Sequence, residues 1–233
     1  MIIISDVHGC LKTLEALIAK LPKDEPIVFT GDLVDRGPRS REVVKFVRDN
    51  GYLCVKGNHE VMTVDMDDNW GHNGADKTLE SYGIEYSVRF SRPVHVDPDS
   101  EQDPEKLKVF KDDQEWMSKL PLYLLFDDVQ NDLGEKLLVT HSSAERVWGW
   151  SEEKRKEHKY HFETNIIWER NYNPDKIPGI YNVFGHTPVK EPKIRDGYAF
   201  IDTGAVFNEP PYNKLTALRF PQMEIYQQEN LDY

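Results

Sequence analysis

Five short apolar runs in this chain each end in a polar turn carrying Asp, His or Asn. Ile2-Ile3-Ile4 runs into Ser5-Asp6-Val7-His8-Gly9, and Ile27-Val28-Phe29 into Thr30-Gly31-Asp32-Leu33-Val34-Asp35-Arg36-Gly37. The run from Tyr52 to Val55 leads to Lys56-Gly57-Asn58-His59-Glu60. Further along, Lys136–Thr140 is followed by His141-Ser142, and Tyr181–Phe184 by Gly185-His186-Thr187. One Asp beside one Gly is ordinary turn chemistry. Five such turns in succession are not, because ligands of open α/β sheets bind at the carboxyl ends of the strands. These side chains are expected to converge.

Between the first runs the apolar period switches from strand to helix. Leu11, Leu14, Leu17, Ile18 and Leu21 fall at helical spacing. Ser40 is placed to cap a second helix, with Val43, Val44 and Val47 on one side and Gly51 beyond its end. The resulting βαβαβ order predicts parallel strands covered by helices. Tyr198–Ile201 adds another strand, and Leu215–Phe220 with Met223–Gln227, on either side of Pro221, predict a closing hairpin or edge pair. Residues 61–135 differ. They hold 18 Asp and Glu against 7 Lys and Arg, which is nearly all of the chain's net charge of −12. Pro93, Pro98, Pro104 and Pro121 mark this stretch, with helical patches around Leu79 and from Lys106 to Met117. It reads as a mainly helical, acidic insertion over the end of the sheet, within a single domain spanning 1–233.

Composition narrows the function classes. With 39% hydrophobic and 30% charged residues, the chain is that of a globular protein, not a disordered one. Its acidity opposes general affinity for nucleic acid or an anionic membrane surface. The apolar runs are too short to span a bilayer, and no basic leader precedes Ile2, so a cytoplasmic protein is expected, as a monomer. Cys10 and Cys54 are expected as small core residues in a reducing compartment.

The donor types point to a metal. Carboxylate, imidazole and amide oxygen without thiolate suit Mn²⁺, Fe or Zn²⁺. Asp6, His8, Asp32, Asn58, His141 and His186 are too many for one catalytic ion with open positions, and suit two divalent ions sharing one carboxylate.

Asp6-x-His8-Gly9, Gly31-Asp32-x-x-Asp35-Arg36-Gly37 and Gly57-Asn58-His59-Glu60 together resemble the three signature blocks of the phosphoprotein phosphatase branch of the metallophosphoesterases. Ile166-Ile167-Trp168-Glu169-Arg170, Phe184-Gly185-His186-Thr187-Pro188 and Ile201-Asp202-Thr203-Gly204-Ala205-Val206-Phe207 are similar to the protein phosphatase of phage lambda and its bacterial relatives. The resemblance covers both ends of the chain and leaves much of 65–135 outside it. It implies a four-layer α/β/β/α sandwich holding two metal ions, manganese first among them, that activate a bridging water for in-line attack at phosphorus. By motif, Asp6 and His8 would hold the first ion, Asp32 would bridge, and Asn58, His141 and His186 would hold the second. His59 would protonate the leaving oxygen, with Asp35 orienting its ring, and Arg36 and Arg170 would bind phosphate oxygens. Asp202 is expected to support the His186 loop. His72, His95, His158 and His161 match no family position, and Trp148, Trp150, Tyr160 and Phe162 are expected to pack in the core or against the insertion.

For substrate, the leading expectation is a serine/threonine phosphoprotein phosphatase, with phosphotyrosine and phosphohistidine as further candidates. The alternative is a symmetrical diadenosine tetraphosphatase on the same site. Asp35 and the acidic insertion favour the phosphoprotein, since a negative cover repels a polyanionic nucleotide. A binding module with a relic site is disfavoured, because every ligand, the acid and both arginines are present together.

Overall fold

A computed structural model of the chain describes residues 1–67, 69–89, 92–96 and 103–233. In chain order its elements are β1 (Ile2–Ile4), α1 (Leu11–Ile18), β2 (Ile27–Phe29), α2 (Ser40–Asp49), β3 (Leu53–Cys54), α3 (Asn58–Asp65), a 3-10 turn (Trp70–His72), α4 (Ala75–Tyr82), β4 (Tyr86–Arg89) and β5 (Arg92–Val96). There follow α5 (Pro104–Ser118), β6 (Tyr123–Gln130), β7 (Lys136–Thr140), α6 (Glu145–Trp148), α7 (Glu152–Glu157), α8 (Lys159–Trp168), β8 (Ile180–Phe184), β9 (Lys193–Arg195), β10 (Tyr198–Phe200), β11 (Lys214–Arg219) and β12 (Glu224–Glu229).

Two five-stranded sheets form the centre, in the orders β12-β11-β1-β2-β3 and β6-β7-β8-β10-β9. β1, β2 and β3 run parallel, as do β7, β8 and β10, while β11 and β12 form the expected antiparallel pair. The isoleucine run of β1 explains the layering. Ile3 faces the second sheet, meeting Leu137, Val139 and Val183, whereas Ile2 and Ile4 face Leu14, Leu17, Val43 and Val47 of α1 and α2. A strand apolar on both faces must lie between two layers, and this one does. On the far side, Phe162 and Ile166 of α8 pack on Leu138 and Ile180. The order is α/β/β/α.

Residues 61–135 carry α3 to α5 in a satellite core of Met62, Trp70, Leu79, Tyr82 and Phe110. They also supply β4 and β5, which pair with each other, and β6, the edge of the second sheet. These three strands were not anticipated. Pro98 lies outside the described residues. Both cysteines are buried and unbridged.

Ser40 departs from its expected role. Arg39 holds the cap position of α2 and no side chain caps the helix. The Ser40 hydroxyl instead accepts the Asp35 amide at 3.0 Å, so this serine braces a site loop and not a helix end.

Candidate active site

Because β1, β2 and β3 are parallel, residues 5–8, 30–36 and 56–59 leave the first sheet at one edge. β7 and β8 deliver His141 and His186 to the same edge from the second sheet, and the Gly185 amide bonds the His141 carbonyl at 2.9 Å. The turns are tight. His8, Asp32, Asp35, Arg36 and His186 all have positive φ, between 45° and 72°, a region that side chains adopt only when their surroundings over-determine it. A Cβ at Gly31 (φ +94°) would lie 2.5 Å from the Gly57 amide nitrogen, so the β2 and β3 turns touch only because this residue has none.

Asp32 stands at the centre. Its Oδ2 lies 3.4 Å from His141 Nε2, 3.7 Å from His8 Nε2 and 3.9 Å from His59 Nε2, while Oδ1 accepts the His59 amide at 3.0 Å. Glu60 fixes the loop around it. Its carboxylate accepts the amides of Asp32, Leu33 and Gly57 at 2.7–2.8 Å, a role the sequence pattern did not reveal.

Ligand atoms cluster on either side of Asp32. His8, Asp32 and His59 form one group, and Asp32, His141 and His186 another, the atoms of each within 4.8 Å of one another. In the second group His141 Nε2, His186 Nδ1 and Asn58 Oδ1 lie 2.9–3.1 Å apart. His141 donates through Nδ1 to the Thr30 carbonyl at 2.7 Å, and His8 through Nδ1 to the Val34 carbonyl at 2.8 Å, so in neutral rings both Nε2 atoms present lone pairs inward. Lone pairs that face one another repel unless a cation sits between them. The electrostatics agree. Burial opposes a charge on His141, but the Asp32 carboxylate beside it pushes its pKa up to about 10, so a proton fills the place of the missing positive charge. Burial and then His141 push His186 down to about 3, and burial with Arg36 pushes His8 well below the usual imidazole range. Burial would raise Asp32, yet the neighbouring His141 and His59 hold it well below the carboxylate range. The donor set fits divalent metal.

Asp6 is buried at the same edge, next to these residues but a member of neither group. It accepts the Thr30 hydroxyl at 3.1 Å and the His186 amide at 2.9 Å. Burial, and then Asp202, raises it well above the usual range. Asp202 accepts the Gly204 amide at 2.8 Å, and its backbone carbonyl accepts the Val189 amide beyond the His186 loop, which agrees with the supporting role expected of it.

His59 Nδ1 meets Asp35 Oδ2 at 2.6 Å, and its buried Nε2 has no hydrogen-bond partner. Asp35 Oδ1 in turn accepts Trp70 Nε1 at 2.9 Å and the Thr78 hydroxyl at 2.6 Å. Trp70 and Thr78 escaped the sequence reading, because nothing in an acidic stretch advertises which indole or hydroxyl will reach a loop 35 or 43 residues earlier. Arg36 donates to His8 Nε2 at 3.0 Å, and the exposed Arg170 is close enough to His186 to help lower its pKa.

Of the unassigned histidines, His158 and His161 lie at exposed positions around α8, and the His95 side chain is outside the described part of the structure. Trp148 and Phe162 pack on Tyr123 as expected. Tyr160 does not: it is 75% exposed, on a face of α8 turned away from Phe162.

The calcineurin-like phosphoesterase model matches residues 1–215. The chain belongs to that family. This calcineurin-like phosphoesterase is 31% identical to the protein named bis(5'-nucleosyl)-tetraphosphatase PrpE [asymmetrical] of Halalkalibacterium halodurans, over 95% of this chain and 90% of the relative. The protein of the same name in Bacillus subtilis is also 31% identical, over 95% and 91% of the two chains. Among solved structures, a serine/threonine phosphatase from Saccharomyces cerevisiae superposes with TM-score 0.63 at 14% identity, over 100% of this chain and 80% of that one.

These comparisons correct the expected substrate and the expected kinship with the phage lambda enzyme. The curated relatives carry nucleotide-hydrolase names, and the likeness to the yeast phosphatase extends only to the fold. The error has a physical source. Asp35 is not a substrate cue, because its carboxylate is fully buried against His59, Trp70 and Thr78. The net charge of a stretch, likewise, is not the field at a site lined with imidazoles and flanked by Arg36 and Arg170. Among the described residues no helix is long and apolar enough to cross a membrane.

Proposed function

We propose that this calcineurin-like phosphoesterase hydrolyses bis(5'-nucleosyl) tetraphosphates asymmetrically, releasing a nucleoside triphosphate and a nucleoside monophosphate. The observation that carries the metal-dependent chemistry is Asp32, its Oδ2 set among three imidazole nitrogens and the residue itself shared by both ligand groups. The names of the relatives carry the substrate.

His8 and Asp32, with Asp6 beside them, would hold one divalent ion, and Asp32, Asn58, His141 and His186 a second. Bound there, the ions would supply positive charge to the phosphoryl oxygens and make water at the centre more acidic. The protein's own groups do the rest. Arg36 and Arg170 bind the non-bridging oxygens as forked donors, Arg36 giving up its present bond to His8 Nε2. A water oxygen, one of its protons passing to solvent, forms the new bond to phosphorus while the bridging P–O bond on the opposite side breaks. His59, aimed by Asp35, gives its Nε2 proton to the departing phosphate oxygen.

The test is product analysis. With Mn²⁺ present, diadenosine tetraphosphate should yield ATP and AMP in equal amounts on anion exchange. Two equivalents of ADP would refute the asymmetrical cut, and no turnover would refute the substrate class.

A further inference from the structure

A groove of about 810 Å³ lies between α3 and α8. It is linked to the ligand cluster through Trp168, the last residue of α8, which lines it and whose ring meets the His186 ring edge-on at 6.4 Å. Tyr160, Thr164 and Trp168 line it at spacings of four, which places them on one face of the helix, while Phe162 and Ile166 on the other face are buried. The stripe runs about 12 Å along the helix, with its Trp168 end against His186. Both of its aromatic rings are open to solvent, Trp168 at 39% and Tyr160 at 75%.

The charges say what the groove would take. Lys56, tied to the Ser118 carbonyl at 2.6 Å, is outnumbered by the carboxylates of Asp65, Asp67 and Glu163. Such walls repel phosphate but accept hydrogen bonds from hydroxyls and exocyclic amines. Flat aromatic rings with acceptor groups nearby suit a nucleoside: base on ring, ribose hydroxyls and amine on carboxylate. The guanidinium groups that suit phosphate, Arg36 and Arg170, sit instead at the centre.

We infer that the α3–α8 groove is a nucleoside subsite, in which the base of the substrate stacks on Trp168. This rests on the proposed dinucleotide reading, which it deepens by separating a nucleoside-binding surface from the phosphate-binding centre.

The experiment uses AMP as probe and orthophosphate as the base-free control, titrated calorimetrically into the full-length protein with saturating Mn²⁺. Wild type is expected to bind AMP at least about tenfold more tightly than phosphate. Trp168→Ala and Trp168→Leu should lose that margin and Trp168→Phe should keep it, since leucine replaces apolar bulk but not a flat ring. Tyr160→Ala, at a more exposed position, reports on the outer end and should weaken AMP to a smaller degree. An AMP-to-phosphate ratio equal in wild type, Trp168→Ala and Tyr160→Ala overturns the subsite. Turnover of diadenosine tetraphosphate by wild type is scored separately. If it is absent while the AMP margin depends on Trp168, the substrate reading fails and the nucleoside subsite stands. If turnover is present and the margin does not depend on Trp168, the subsite fails alone.

Discussion

Trp70 Nε1 donates to Asp35 Oδ1 at 2.9 Å, so the turn beyond α3 reaches back to hold the carboxylate that holds His59. Trp70→Phe keeps the ring stacked on Phe110, 6.3 Å away, and deletes only the N–H. A hydrogen bond to a charged acceptor contributes about 1.5–3 kcal/mol, and that loss should appear in urea unfolding. A less firmly aimed imidazole should also lower kcat by about tenfold with KM little changed. An unaltered kcat would mean that Thr78 and His59 hold Asp35 without the indole.

His59→Asn tests the proton donor. A positioned general acid contributes about 10²–10⁴-fold. The leaving oxygen of a phosphoanhydride is weakly basic, so on diadenosine tetraphosphate the loss should fall near the low end, about 10². On an alkyl phosphate monoester, whose leaving oxygen is far more basic, any activity the protein shows should fall further. Equal losses on the two substrates would assign His59 to metal or phosphate binding, in keeping with its place beside His8 and Asp32.

The strand ends were legible because most of them combine two local signals, a short apolar run and a glycine-bearing polar turn, and parallel pairing then brings Asp6, His8, Asp32, Asn58, His141 and His186 to one edge. The bracing was not. Glu60 reads as a helix residue of the Asn58-His59-Glu60 motif, yet it is buried and bound to three loop amides. Tyr123–Gln130 was hidden by its setting, since its half-exposed edge pattern and two aspartates look like the acidic stretch before it. Substrate choice was the least visible, because phosphoprotein and dinucleotide hydrolases can share every group around phosphorus.

Metal binding should release protons. In the metal-free protein Asp32 pushes His141 up to about 10 from an ordinary 6.5, so its ring carries a proton at neutral pH and must lose it to become a ligand. Titrating Mn²⁺ at pH 7.5 in two buffers of different ionisation enthalpy should show about one proton released from this ring for each ion bound there. The sign for stability follows from the same shift. The raised pKa stabilises the metal-free fold fully below about 6.5, and that contribution fades as pH climbs toward 10. The Tm of chelator-treated protein should therefore fall between pH 7 and pH 10, and Mn²⁺ should largely remove the decline. Metal uptake without proton release would show that His141 is already neutral.

Glu60→Gln separates the loop from the ligands. The substitution keeps the shape but turns one acceptor oxygen into an NH₂ that faces backbone N–H groups, and the Asp32, Leu33 and Gly57 amides then compete for what remains. Leaving buried donors unsatisfied costs about 1–3 kcal/mol each, so unfolding should become easier by about 2–4 kcal/mol. The larger consequence concerns geometry. Asp32 sits at φ 52°, a conformation held by that loop, and it is the residue common to both ligand groups. A loosened Asp32 should weaken Mn²⁺ binding by at least about tenfold, in the range seen when groups that orient metal ligands are lost. Excess Mn²⁺ should then recover much of the activity of Glu60→Gln, whereas Asp32→Asn, which alters the shared oxygen donor itself, should not be rescued. If Glu60→Gln binds Mn²⁺ as wild type does while losing stability, Glu60 is a brace for the fold alone and Asp32 keeps its position without it.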